Sequence, residues 1–323
     1  MIYQYITIFL LSSLITFLLV PKIIKIGHHF NYIDSPDKRK KHKKNIVRIG
    51  GLAIYLGLMF SLIIARIFGW VTEDKMQIIL ITQVSSSLFF LIGFFDDIFS
   101  ISSIKRLILQ SLVAILIWMQ GIQINNLDFL DITTSDNLFN LPMFLSLFIT
   151  VFWIVGVTNS FNWLDGLDGL CCGIALISSL SFISLFLSYT NNSELFLIFA
   201  LAGACLAFLF FNFYPAKVFM GDGGSYLLGS NLALFSIYSH KFFIETNFNH
   251  WSFLSPLLIL FIPLVDMSYV VFSRIYEGKL PFFPDRRHLH YRLMDTGISH
   301  RRTVLLFYFF SIIFSSLALA CLP

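Results

Sequence analysis

The sequence predicts an all-α, polytopic integral membrane protein with about ten transmembrane helices in a single domain spanning 1–323. Three observations predict it: a scarcity of charge, apolar stretches of span length, and a one-sided distribution of Lys and Arg. Of the 323 residues 57% are hydrophobic and 12% are charged, whereas soluble chains carry about 25% charged residues. In water such a chain would expose large apolar patches and associate, so lipid is its better solvent. The 38 Phe residues suit lipid-facing and helix-packing surfaces. No nucleic-acid partner is expected.

A span needs about 20 mainly apolar residues. On that rule the expected spans are 1–21, 50–70, 76–94, 106–121, 142–158, 168–189, 195–213, 225–240, 251–273 and 303–321. The first has no basic start and no small-residue cleavage site, and the basic residues follow it, so it reads as a helix rather than a signal peptide. Cys171, Cys172, Cys205 and Cys321 lack metal-ligand spacing and sit in apolar stretches, as small buried hydrophobes do.

Lys and Arg mark the cytoplasmic side of a membrane protein. Nineteen of the 22 fall in or beside the loops 22–49, 95–105, 159–167, 214–224 and 274–302, and only Arg66, Lys75 and Lys241 fall on the other side. The five loops are therefore expected to be cytoplasmic. An even number of spans then puts both termini outside.

Each of those loops carries a polar cluster, and polar or ionisable groups at membrane depth are costly and usually functional. The first reads Asp34-Ser35-Pro36-Asp37-Lys38-Arg39-Lys40-Lys41-His42 and continues to Arg48-Ile49-Gly50-Gly51. Its Lys run could simply anchor anionic head groups. The glycine pair opening a span points instead to close backbone approach. The second places Asp96 and Asp97 at a span end, with Lys105 and Arg106 opening the next; adjacent carboxylates need a cation or donors to stay ionised. In the third, Asn159, Asn162, Asp165 and Asp168 recur every three residues, interleaved with Gly166 and Gly169. On a helix such neighbours share a face, and capping explains only one of them. The fourth, Met220-Gly221-Asp222-Gly223-Gly224-Ser225, is a carboxylate among glycines at a helix start, where free N–H groups also accept phosphate oxygens. The fifth holds Asp285, Arg286, Arg287, His288, His290 and Arg292. Paired arginines suit phosphate, and no further ligands complete a zinc site around His-x-His. His28, His29 and His300 read as interfacial residues. Acids, amides and bases together fit a magnesium–diphosphate substrate: oxygen ligands for the cation and basic groups for the phosphates.

These motifs, in this order, resemble the polyprenyl-phosphate N-acetylhexosamine-1-phosphate transferases, from about residue 33 to 302. Asn159-Ser160-Phe161-Asn162-Trp163-Leu164-Asp165-Gly166-Leu167-Asp168-Gly169 and His288-Leu289-His290 are similar to the branch that uses UDP-N-acetylglucosamine or a related UDP-N-acetylhexosamine. The peptidoglycan branch, phospho-N-acetylmuramoyl-pentapeptide transferase, shows three consecutive histidines followed by an acid, and this chain does not. Two departures stand out. Asn45 and Val47 replace the prolines many members have before Arg48, and Tyr291 stands where another His is common.

The resemblance implies a multi-pass enzyme of the bacterial inner (plasma) membrane with its catalytic loops in the cytoplasm. It would transfer N-acetylhexosamine 1-phosphate, in this branch N-acetylglucosamine 1-phosphate, from a UDP-sugar to undecaprenyl phosphate. UMP would be released in the first membrane step of a cell-surface glycan. It implies magnesium, or manganese in its place, held by Asp222 and Asn162, with Asp168 contacting uracil. Asp96 and Asp97 become the acidic pair near the lipid phosphate. Lys105, Arg286, Arg287, His288 and His290 serve the phosphates and the sugar, and Asn159 and Asp165 line the same pocket. A homodimer is one assembly it admits. Two other readings stay open. Intramembrane prenyltransferases also bind magnesium diphosphate, with acids at a different spacing. Lipid or sugar transporters place polar groups at the bilayer midplane, not at helix ends.

Overall fold

The computed structural model describes residues 1–34, 45–126, 141–187, 194–245, 254–280 and 287–320. The described residues form helices and one two-stranded antiparallel sheet, β1 Ile33–Asp34 on β2 Ile46–Val47. In chain order the helices are α1 Ile2–His29, α2 Gly51–Ile67, α3 Glu73–Phe99, α4 Ser103–Met119, α5 Met143–Leu164 and α6 Leu170–Leu187. There follow α7 Glu194–Asn212, α8 Gly221–Glu245, α9 Leu254–Ile259, α10 Phe261–Tyr276, α11 Leu289–Asp295 and α12 His300–Ala320.

Six of them, α1, α3 from Met76, α5, α6, α7 and α12, are long and apolar enough to cross a membrane. This is an all-α membrane protein. The remaining expected spans fall on α2, α4, α8 and the α9–α10 pair, which are shorter or more polar. A helix that is hydrophobic all round belongs inside a bundle, and α6 and α7 are buried along most of their length. Around them α1 packs on α2 and α7, α8 lies against α3 and α5, and α12 covers α6.

Helix α10 begins with a break that the sequence explains. Pro263 has no N–H to offer the Ile259 carbonyl four residues back. Ser178 Oγ, on α6, donates to that carbonyl instead at 3.3 Å. A bilayer offers no water for a freed backbone group, so a side chain must satisfy it.

Close helix crossings rely on glycine. A Cβ on Gly203 of α7 would fall 2.2 Å from the Phe9 carbonyl oxygen of α1, whereas one on Gly156 of α5 would meet only Met267 Cε at 3.8 Å. Gly203→Ala should therefore destabilise the protein by about 1–3 kcal/mol through overpacking, and Gly156→Ala should be tolerated. Melting of the two purified variants in detergent checks this; equal midpoints would contradict the crossing.

Candidate active site

The described parts of the first four polar segments meet around the first turn of α8. Gly50 and Gly51 donate their N–H groups to the carbonyls of Phe219 and Met220 at 2.9 and 2.8 Å, and the Phe219 N–H donates to the Val47 carbonyl at 2.8 Å. A Cβ on Gly51 would fall 2.4 Å from Gly224 Cα, and one on Gly93 2.3 Å from the Asp222 carbonyl oxygen. Gly221 has φ +75°, a left-handed conformation open to glycine at no steric cost. Small residues thus let the ends of α2, α3 and α8 touch through their backbones, and Asp222 stands where they meet.

Two arginines join the acids of this group. Asp97 Oδ1 accepts from Arg48 Nη2 at 2.8 Å and from the Asp222 N–H at 3.0 Å, and Oδ2 accepts from the Gly223 N–H at 3.0 Å. Asp96 Oδ1 accepts from the Ile101 N–H at 2.6 Å. Arg106 Nη1 bonds Asp96 Oδ2 and also Asp222 Oδ2, the latter at 3.1 Å. From α5, Asn162 Nδ2 donates to Asp222 Oδ1 at 2.8 Å and to Ser225 Oγ at 3.0 Å. Asn159 Nδ2 bonds Gln110 Oε1 at 2.7 Å.

Just past α5, loss of surrounding water pushes the Asp165 carboxyl well above the usual carboxylate range, and the like charges of Asp222, Asp97 and Asp168 add to the shift. No hydrogen bond from a described residue reaches its oxygens. Asp168 Oδ2 accepts from the Ala216 N–H at 2.9 Å, tying this loop to the one before α8. Asn212 does the same at the end of α7, accepting from the Gly169 N–H and donating to the Val218 carbonyl.

The histidine segment closes over the other side. His288 Nδ1 lies 2.7 Å from Asp266 Oδ2, and the Leu289 N–H donates to Asp266 Oδ1 at 2.7 Å. Asp266 is buried on α10. The Arg274 guanidinium sits 4.9 Å over the Trp163 ring, whose other contacts include an edge packing against His288. His290 is fully buried, stacked on His288, and a Cβ on Gly166 would fall 2.4 Å from its Nε2. Neither ring nitrogen finds a hydrogen-bond partner among the described residues. Burial pushes its pKa down to about 3, which favours the uncharged ring.

The structure therefore brings together Asp96, Asp97, Asn162 and Asp222 directly, sets Asn159, Asp165 and Asp168 beside them, and packs His288 and His290 against the Trp163–Gly166 turn. Lys105 is exposed, and it is the next residue, Arg106, that reaches the acids. Arg287 pairs with Glu277 at 2.5 Å and with Ser273. Arg286, with Pro284 and Asp285, lies outside the described residues, as do residues 35–44. Arg48, Arg106, Gln110, Asn212 and Asp266 went unassigned in the sequence. Asp266 carried a signal, a lone carboxylate inside an apolar stretch.

The donor set fits a magnesium ion. Asp222 and the neighbouring Asp96 supply hard oxygen donors, the Asn162 amide beside them would add its oxygen by turning over, and magnesium takes one or two carboxylates while substrate phosphates and water complete its shell. No cluster of three or more His, Cys, Asp or Glu side chains suited to a metal occurs among the described residues, so the protein alone does not build a closed cage.

Removing Asp266 should strand two buried donors, at about 1–3 kcal/mol for each unsatisfied group. Asp266→Ala is expected to lower the melting midpoint more than Asp266→Asn, which keeps an acceptor for the Leu289 N–H. Identical melting of both variants and wild type would show that the pair holds nothing in place.

A family model described as Glycosyl transferase family 4 matches residues 78–240, a stretch that contains Asp96, Asp97, Asn162, Asp165, Asp168 and Asp222. The chain is 34% identical over 307 residues to the "Probable undecaprenyl-phosphate N-acetylglucosaminyl 1-phosphate transferase" of Bacillus subtilis (strain 168), covering 95% of this chain and 82% of the relative. It is 31% identical over 310 residues to the "Undecaprenyl-phosphate alpha-N-acetylglucosaminyl 1-phosphate transferase" of Escherichia coli (strain K12), covering 93% and 78%. It is 29% identical over 319 residues to the "Decaprenyl-phosphate N-acetylglucosaminephosphotransferase" of Mycobacterium tuberculosis (strain ATCC 25618 / H37Rv), covering 93% and 78%. With the matched stretch centred on the acidic group and the similarity running almost end to end, this chain belongs to glycosyl transferase family 4.

Proposed function

We propose that this protein transfers N-acetylglucosamine 1-phosphate from UDP-N-acetylglucosamine to undecaprenyl phosphate and releases UMP. The observation that carries the reading is the Asp222 group, where oxygen donors and two arginines share one helix end of a membrane bundle. The names of the relatives supply the sugar and the lipid.

An oxygen of the lipid phosphate attacks the phosphorus that bears the sugar. The P–O bond to the uridylate phosphate breaks, and UMP leaves with that oxygen and its electron pair. A phosphate monoester has a second pKa near 6, so the nucleophile is already mostly dianionic at neutral pH and needs no strong base. The task is to hold two mutually repelling anions in line. Asp222 and Asn162 would hold magnesium, which neutralises diphosphate charge when bound. Arg106 and Arg48 bring positive charge to the same place, and preorganised charge is worth most where water is excluded. His288 and the Trp163 turn suit the uncharged parts of the donor, an imidazole nitrogen for a hydroxyl and an aromatic face for a ring, with the buried His290 stacked behind His288. Asp168 and Asp165 fit the uracil side.

The full set of ten spans, both termini outside, and catalytic loops in the cytoplasm of the bacterial plasma membrane complete the reading. The one-sided Lys and Arg distribution supports it, and UDP-sugars are cytoplasmic substrates.

Membranes containing the protein, supplied with undecaprenyl phosphate and a panel of labelled UDP-sugars, test the reaction. UDP-N-acetylglucosamine should yield labelled extractable lipid and an equal amount of UMP. Chelation of divalent cations or Asp222→Ala should each cut the rate by more than about 100-fold, since even outer partners of a metal ligand are worth roughly 10–100-fold. Transfer only from UDP-N-acetylmuramoyl-pentapeptide would move the protein to the peptidoglycan branch, and lipid product without UMP would rule out this chemistry.

Topology has its own test. In whole cells, after replacement of the native cysteines, an impermeant thiol reagent should label a cysteine placed beside Lys241 and miss one beside Arg287. The reverse pattern would put the acidic group outside the cell.

A further inference from the structure

We propose that the two adjacent acids at the end of α3 have separate tasks, and that Asp97 is a positioning residue that clamps the first turn of α8 and so fixes Asp222. The inference rests on the reading of Asp222 as a metal ligand. Asp97 receives three donors, from the Arg48 guanidinium and the Asp222 and Gly223 N–H groups, and its side chain is 1% exposed. The first N–H groups of a helix have no partner within it, and a carboxylate placed there gains from charge-assisted bonds and from the helix dipole. Here the cap comes from another helix. It therefore fixes the α8 start against α3 instead of merely ending α8 neatly.

The surroundings leave no slack in that clamp. A Cβ on Gly221 would fall 2.5 Å from Asp97 Oδ2 and 2.1 Å from the Arg48 carbonyl oxygen. Gly93, one turn before Asp97 on α3, lies against the Asp222 carbonyl. With both oxygens engaged and almost no exposure, Asp97 has no free face toward a substrate. Asp96 is enclosed too and is held at both oxygens, by the Ile101 N–H and by Arg106, but it bonds no N–H of α8: its link to Asp222 runs only through the shared Arg106 guanidinium.

The test uses the full chain in lipid nanodiscs, with Asp97→Asn and Arg48→Ala against Asp96→Asn. Amide hydrogen exchange in a peptide covering residues 218–226 should speed up in the first two variants and stay at the wild-type rate in the third. Binding of Mn²⁺ alone, followed by the loss of its free-ion EPR signal, should weaken roughly 10–100-fold in Asp97→Asn and Arg48→Ala, as for loss of other outer partners of a metal ligand. The turnover of Asp97→Asn should recover as Mg²⁺ is raised, with the KM for undecaprenyl phosphate kept. The Arg48→Ala/Asp97→Asn double variant should be no worse than either single one, because coupled residues are not additive. Unchanged exchange overturns the clamp. So does wild-type Mn²⁺ binding with turnover lost at every Mg²⁺ concentration, which would place Asp97 on the reacting atoms. If Asp97→Asn does not fold, Arg48→Ala, which leaves the carboxylate in place, carries the same exchange and Mn²⁺ expectations. A wild-type protein that binds no Mn²⁺ would overturn the metal reading of the site, while the exchange comparison would still decide the clamp.

Discussion

Backbone contact between the starts of α2 and α8 and the end of α3 governs the geometry of the whole polar end of the bundle. Gly51, Gly93 and Gly224 bring main chains to distances at which any side chain would collide, and the hydrogen bonds from Gly50 and Gly51 to Phe219 and Met220 lock that approach. Asp222 then follows a left-handed glycine and projects from a helix start, two of whose free N–H groups, those of Asp222 and Gly223, are taken by Asp97. Every other polar element is placed relative to this point: Asn162 from α5, Arg106 from α4, Arg48 from the strand side. Enlarging any of these glycines would push the acids apart before it disturbed the apolar core.

The charges are balanced only in part. Asp96, Asp97, Asp165 and Asp222 gather around two guanidinium groups, those of Arg48 and Arg106. Like carboxylates crowded together, away from bulk water, favour taking up protons or a cation. The rise in the Asp165 pKa expresses the same pressure. A divalent ion held there would relieve it and invert the local electrostatics, and the region would then attract a diphosphate instead of repelling it. The reach of Arg106 to both Asp96 and Asp222 fits this view, since a guanidinium spanning two carboxylates occupies ground a harder cation could share.

Much of this was legible in the sequence, and the gaps have physical causes. Apolar stretches and positive loops identified a membrane bundle, and the described parts of the polar clusters lie in contact one with the next, because polar side chains at the ends of spans have few places to go but toward one another. The choice between Lys105 and Arg106 was not legible. Adjacent residues on a helix point about 100° apart, and only the position of Asp96 shows which one turns inward. Arg106 and Gln110, four apart, share the inward face, which periodicity alone could have suggested. Asp266 was visible as a carboxylate in an apolar run, but its partner His288 stands 22 residues later, beyond any local pattern. The glycines advertised close approach without naming what they approach. The count of ten spans goes beyond the six helices that are long and apolar enough to cross a membrane among the described residues; the other four expected spans fall on α2, α4, α8 and the broken α9–α10 pair, which are shorter or more polar.

A division of labour within the acidic pair also bears on the route of the proposed transfer. Double displacement would need a free carboxylate to attack the donor phosphorus before the lipid phosphate arrives. Asp97 is bonded at both oxygens and enclosed, and Asp96 is held by Arg106 and the Ile101 amide. A carboxylate stabilised by hydrogen bonds and an arginine is a poorer nucleophile than a phosphate dianion, which arrives ionised and anchored by its own lipid. The isoprenoid tail confines that phosphate to the membrane surface, and the Asp222 group lies where spans end and loops begin. One site can then hold both substrates at once. Direct displacement needs only that they be aligned, and the rigid glycine-packed start of α8 is suited to aligning them.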